Sequence, residues 1–177
     1  MDTLLLLPLF ISVVSAHDLI RTTWGVDRMN DPKEWKAWMV EKANAGYAGV
    51  EAPTWGVCGM PAGPTIGCGA HACDSERVNL WAEALEASGL YFIAQLHTCG
   101  YPISSGAVAD HVGSVAALAE TAVALNASLA NVHGGCDYWS LDEKLAFLKS
   151  TAAVEVNTGL LMAHETHRSK VTPIPNP

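Results

Sequence analysis

Four short stretches carry the residue types that do chemistry: G-V-E-A-P (49–53), A-Q-L-H (94–97), A-N-V-H (130–133) and M-A-H-E-T-H-R (162–168). Each sets polar side chains at the end of an apolar run. In an extended strand, side chains two residues apart share a face. Gln95 therefore pairs with His97, Asn131 with His133, and Glu165 with His167, while Glu51 stands alone on its strand. His164 falls on the opposite face from Glu165 and reads as a packing residue. A single histidine at a strand end is more often a satisfied buried residue than a ligand. Imidazole and carboxylate groups converging from three strand ends carry more weight, because metal sites and acid–base sites both need several donors in one place. The spacing H-E-T-H, in a strand, is not the helical H-E-x-x-H zinc motif.

Such convergence requires a frame, and the sequence supplies one by repetition. Apolar, β-prone runs at 19–26, 47–53, 90–97, 128–135 and 159–165 alternate with helix-like stretches at 31–46, 74–89, 104–126 and 140–150. Asp31 followed by Pro32, and Asp74, are helix-start signals, while Gly46 and Gly89 are stop signals. Trp35, Trp38, Met39 and Lys42/Ala43 recur at the spacing of one buried helical face. Strands alternating with helices predict an α/β fold with a parallel sheet of about four and a half βα units. L-Y-F-I-A-Q-L-H (90–97) is almost unbroken in its apolarity, as in a strand covered on both faces. An open doubly wound sheet and part of an eightfold barrel both satisfy this pattern; in a barrel the strand C-termini are where active sites are built. No G-x-G-x-x-G follows the first strand, and the glycine-rich loop at 57–73 lacks the lysine of a phosphate loop, so neither nucleotide motif is present.

The stretches G-Y-A-G-V-E-A-P, L-Y-F-I-A-Q-L-H, L-A-N-V-H-G-G-C-D-Y-W-S-L-D-E and L-L-M-A-H-E-T-H-R, in this order, resemble successive strands of the xylose isomerase-like TIM-barrel superfamily. That group includes sugar-phosphate isomerases, sugar epimerases, hydroxypyruvate isomerase and endonuclease IV. The resemblance runs over residues 19–168 and implies a partial (β/α)8 barrel. It implies further that Glu165 is the catalytic carboxylate and a ligand of a divalent metal (Mn, Mg, Co or Zn), with His97 and His133 beside it as ligands or substrate groups. His167 and Arg168 would meet a substrate oxygen or phosphate, and Glu51, Gln95 and Asn131 would complete the substrate-binding surface. The activity implied is metal-dependent proton transfer on a carbohydrate, as in a sugar or sugar-phosphate isomerase or epimerase. In the family, the remaining ligands and a second glutamate lie on strands six to eight, so the expectation is a barrel truncated after strand five, without turnover of its own. A non-catalytic binding module and an endonuclease IV-like repair enzyme are the alternatives.

Composition bears on these alternatives. The net charge of −8 opposes a nucleic-acid partner, which needs a basic footprint. No stretch reaches the ~20 apolar residues of a membrane span. The apolar run at 4–16 suits a signal peptide, with Val14 and Ala16 at the small-residue positions, although no lysine or arginine precedes it. We expect residues 1–16 to stand apart from a domain at 17–177, in a secreted or secretory-pathway protein, otherwise a cytoplasmic one. The five cysteines, 58, 68, 73, 99 and 136, fall in loops after strands two, three and four. They would make two disulfides and one thiol in an oxidising compartment, a zinc site with His71 in the cytosol, or merely scattered thiols. Open sheet edges would allow self-association.

Overall fold

Residues 18–59, 72–99 and 105–165 are described in a computed structural model. The apolar segment 1–16, Cys68, His71, His167 and Arg168 lie outside them. Five strands, β1 (Ile20–Thr22), β2 (Gly49–Pro53), β3 (Tyr91–His97), β4 (Ala127–His133) and β5 (Leu161–His164), form one sheet in the order β1-β2-β3-β4-β5. All pairs are parallel. A doubly wound sheet reverses its strand order at a switch point; this one runs sequentially. The sheet is not closed into a barrel, and β1 and β5 stand at its edges.

The helices are α1 (Pro32–Asn44), α2 (Thr54–Cys58), α3 (Ser75–Ser88), α4 (Val108–Ala124) and α5 (Leu141–Thr158). Their starts obey local chemistry. The Asp31 side chain accepts from Lys33 N–H, Asp74 accepts from Arg77 N–H, and Ser140 exchanges hydrogen bonds with Glu143 in a capping box. α5, which begins within the stretch read as a helix start, runs on to Thr158, because nothing breaks the helix until Gly159 takes a left-handed φ of 71°. α2 and a 3-10 turn at Asp27–Asn30 occupy stretches expected to be loop.

One face of the sheet is the core. Val50, Ala52, Phe92, Ala94, Leu96, Ala130 and Val132 alternate along the strands and are buried, against a layer in which α1 packs on α3 and α4 on α5. Trp35, Trp81 and Phe92 interlock edge to face, at centroid distances of 5.2 and 4.9 Å. The intervening residues Glu51, Ile93, Leu129, Asn131 and Ala163 face the other way and are only partly buried or exposed. β3 is buried along its whole helix side, and on its other side at Gln95 and His97, whereas Tyr91 and Ile93 there are only partly buried. Cys58 and Cys73 form a disulfide, Cys99 is also disulfide-bonded, and Cys136 keeps a buried thiol.

Candidate functional site

The strand register determines which side chains meet. Gln95 pairs with Asn131 and His97 with His133 across β3 and β4, and Glu165 continues the ladder by donating its N–H to Val132 O. Two layers result on the helix-free face, the one that no helix of the described residues covers: Gln95 and Asn131 below, His97, His133 and Glu165 above. Glu51 sits one layer lower still, opposite Ile93.

Asn131 binds this set together. Its amide nitrogen donates to Glu51 Oε1 at 2.9 Å and to Glu165 Oε2 at 2.8 Å. An amide NH2 has two hydrogens, so both are committed to carboxylates from different strands. Glu165 Oε2 also lies 3.1 Å from His133 Nε2, and the rings of His97 and His133 are 4.5 Å apart. His133 and His97 are buried, whereas the Glu165 side chain keeps 38% of its exposure. A carboxylate touching an imidazole, with one partner facing solvent, is a pair able to hold and move a proton.

Of the expected site residues, Glu51, Gln95, His97, Asn131, His133 and Glu165 come together here. His164 does not. It turns to the helix side, with Nε2 3.1 Å from Thr151 Oγ1 and its ring against Phe147. Burial holds its imidazole below the ordinary histidine range, with Glu155 pulling weakly the other way.

The residues expected to hold a metal fit only in part. Glu165 and His133 converge, but His97 Nδ1 is already the acceptor for Trp55 Nε1–H at 3.0 Å. Between the two carboxylates stands an N–H donor, where a cation would need an acceptor. Among the described residues no group of three or more His, Cys, Asp or Glu side chains is placed to hold a metal ion.

Two tryptophans complete the site and were not anticipated. Trp24 Nε1 donates to Gln95 Oε1 at 2.7 Å, just as Trp55 Nε1 donates to His97. The signal was available: T-W-G occurs at 23–25 after the first strand and again at 54–56 after the second. His111, on α4, is a further unexpected residue. Its Nδ1 accepts from Gly135 N–H at 3.0 Å and its Nε2 lies 3.2 Å from Ser105 O. Those partners require the neutral tautomer protonated on Nε2. Thr98 Oγ1 lies 2.7 Å from His111 Nδ1, so this ring ties together the loops that follow β3 and β4. A lone histidine inside an alanine-rich helix gives no such sign from sequence.

Compared with known proteins, the chain matches no family model and no curated protein. No helix among the described residues is long and apolar enough to cross a membrane.

Proposed function

We propose that the chain is part of a xylose isomerase-like barrel that binds a small carbohydrate at the C-terminal ends of its strands and moves a proton on it. The observation that carries this reading is the single amide of Asn131 joining Glu51 and Glu165 beside the His133–Glu165 contact. Carboxylates, imidazoles and an amide offer many hydrogen bonds to hydroxyl groups, and a sugar presents hydroxyls in several directions. Glu165, in contact with His133 and open to solvent, is the candidate base for a C–H next to a carbonyl. Asn131 holds the two carboxylates at a fixed separation, and Gln95 and His97, each fastened by an indole N–H, are buried beside it.

A divalent metal (Mn, Mg, Co or Zn) belongs to the proposal, with Glu165 and His133 as two of its ligands. When bound, such an ion would polarise the substrate carbonyl. A secreted or secretory-pathway location and self-association through the sheet edges are parts of the same reading.

The test is solvent-deuterium exchange into a panel of aldoses and ketoses, with each metal added to the purified chain and to Glu165→Gln. Exchange that needs both a metal and Glu165 supports the proposal and overturns the expectation that this chain has no turnover of its own. Metal-dependent sugar binding without exchange favours a non-catalytic binding module. Neither binding nor exchange overturns both.

A further inference from the structure

Helix α5 carries two apolar lines, and the fold uses only one. Phe147, Thr151 and Val154 are its buried residues. Phe147 and Thr151 meet His164 of β5. The second line is Leu141, Leu145, Leu148, Ala152 and Val156, spaced by four, three, four and four residues, the repeat of one helical face. Leu141 is 62% exposed, Leu145 43% and Val156 82%. Ala152 is exposed as well, and Leu148 alone is half-buried, against the core. No charged residue interrupts this line. The other helices differ: among the described residues α1 and α3 expose no large apolar side chain, and α4 exposes only Val123. The exposed surface of the stripe is roughly 400 Å², a size at which an apolar patch marks an interaction site.

Its place in the fold bears on what covers it. Helices that join parallel strands cross over right-handedly, so α5 returns antiparallel to the sheet between β4 and β5. A right-handed helix in that position turns the residues a quarter to half a turn past its buried line toward the β5 side. That is the side away from α4, the helix on which α5 packs. The stripe therefore stands beside the sheet edge that β5 leaves open. An open strand edge takes a strand, and an apolar helical stripe takes a helix. A second copy of this chain supplies both together. The stripe also reads nearly the same in reverse. About a two-fold axis crossing the middle of the helix, Leu145 faces Ala152 of the second copy and Leu141 faces its Val156, so each leucine meets a smaller side chain. The antiparallel helix pair made by that axis brings ends of opposite dipole sign together.

We propose that α5 is the helical half of a two-fold interface between copies of this chain, packing antiparallel on itself beside the β5 edges. The strand half rests on the reading of self-association through the sheet edges, and the helical half on α5 alone.

Sedimentation velocity of the full chain at raised NaCl, where like charges are screened, separates the two. The chain should form a dimer. Leu145→Lys and Val156→Lys should each weaken it about tenfold or more, through the apolar contact removed. Both substitutions lower the net negative charge, so repulsion between acidic copies cannot be the cause. Val123→Lys, on α4 outside the stripe, should leave the dimer unchanged. All three positions are exposed, so the fold is not at stake. Under mild oxidation, Leu145→Cys mixed with Ala152→Cys should cross-link readily. Leu145→Cys by itself should not, because the axis sets the two copies of that position about 10 Å apart along the helices. Unchanged dimers in both α5 variants, with dissociation by Leu161→Lys, overturn the helical contact and leave the edge reading standing. Dissociation by the α5 variants alone keeps the helical contact and overturns the edge reading. Equal weakening by Val123→Lys, or equal cross-linking of Leu145→Cys by itself, overturns the inference. A monomer at every concentration overturns both.

Discussion

Asn131 is the residue on which the candidate site depends, because its neutral amide stands between two acidic side chains. Replacing it with aspartate is nearly isosteric, but it turns a shared donor into a third carboxylate. Hydrogen bonds to charged groups contribute about 1.5–3 kcal/mol each, and the partial exposure of Glu51 and Glu165 reduces their share here. We expect Asn131→Asp to lose about 2 kcal/mol of unfolding free energy at neutral pH, seen in urea titrations. Millimolar Mn²⁺ should restore more stability to the variant than to the wild type. Equal stability of the two proteins at pH 7 would show that the amide bridge holds nothing. At this scale the sequence was informative wherever strand alternation decides. The side chains of Asn131, His133 and Glu165 share a face, and His164 lies on the other, as the period of two requires. Trp24 and Trp55 were missed because an indole reads first as apolar bulk, and its single N–H becomes visible as a donor only when a partner strand brings Gln95 or His97 to it.

Among the elements, the join between α2 and α3 shows local rules acting through neighbours. Gly59 ends α2 at a φ of 88°, and a Cβ there would come within 2.7 Å of Arg77 Cδ. Both the left-handed backbone and the passage of the arginine chain beneath it call for glycine. Asp74 begins α3 by accepting from Arg77 N–H at 3.0 Å, directly after the Cys58–Cys73 disulfide. Asp74→Ala should cost about 1 kcal/mol, and Asp74→Asn much less, since asparagine caps equally well. In thermal unfolding the difference between the two variants should be roughly 2–4 °C. Equal melting temperatures would mean that the disulfide alone sets the start of the helix. Asp31, Asp74 and Gly89 marked helix ends that a reader of sequence finds from capping chemistry. α2 was not legible, because T-W-G-V-C is a single turn containing glycine and β-branched residues, with no helical period to detect.

For the whole molecule, the parallel order of five strands followed from the alternation of strand and helix, whereas closure did not. Closure depends on what pairs with the edges, and no period within a strand encodes it. β5 is the edge where this matters most. Its pattern alternates between exposed and half-buried, and Leu161 is 61% exposed, while Ile93 and Leu129 stand half-buried on the same helix-free face. An edge strand with an exposed leucine and a partly apolar neighbouring face is a template for pairing with a second chain. The net charge of −8 works against it, because two like-charged copies repel over about 10 Å at 0.1 M salt and over less as salt rises. Sedimentation velocity should therefore show association that grows with protein concentration and also with NaCl, the reverse of what a salt-bridged interface would give. Leu161→Lys places a charge on the edge without touching the helix-side core, and should return the protein to monomer across the same range of salt. If wild type and variant sediment alike at every concentration, then β5 is not the contact, and the edge is protected by something other than its own sequence.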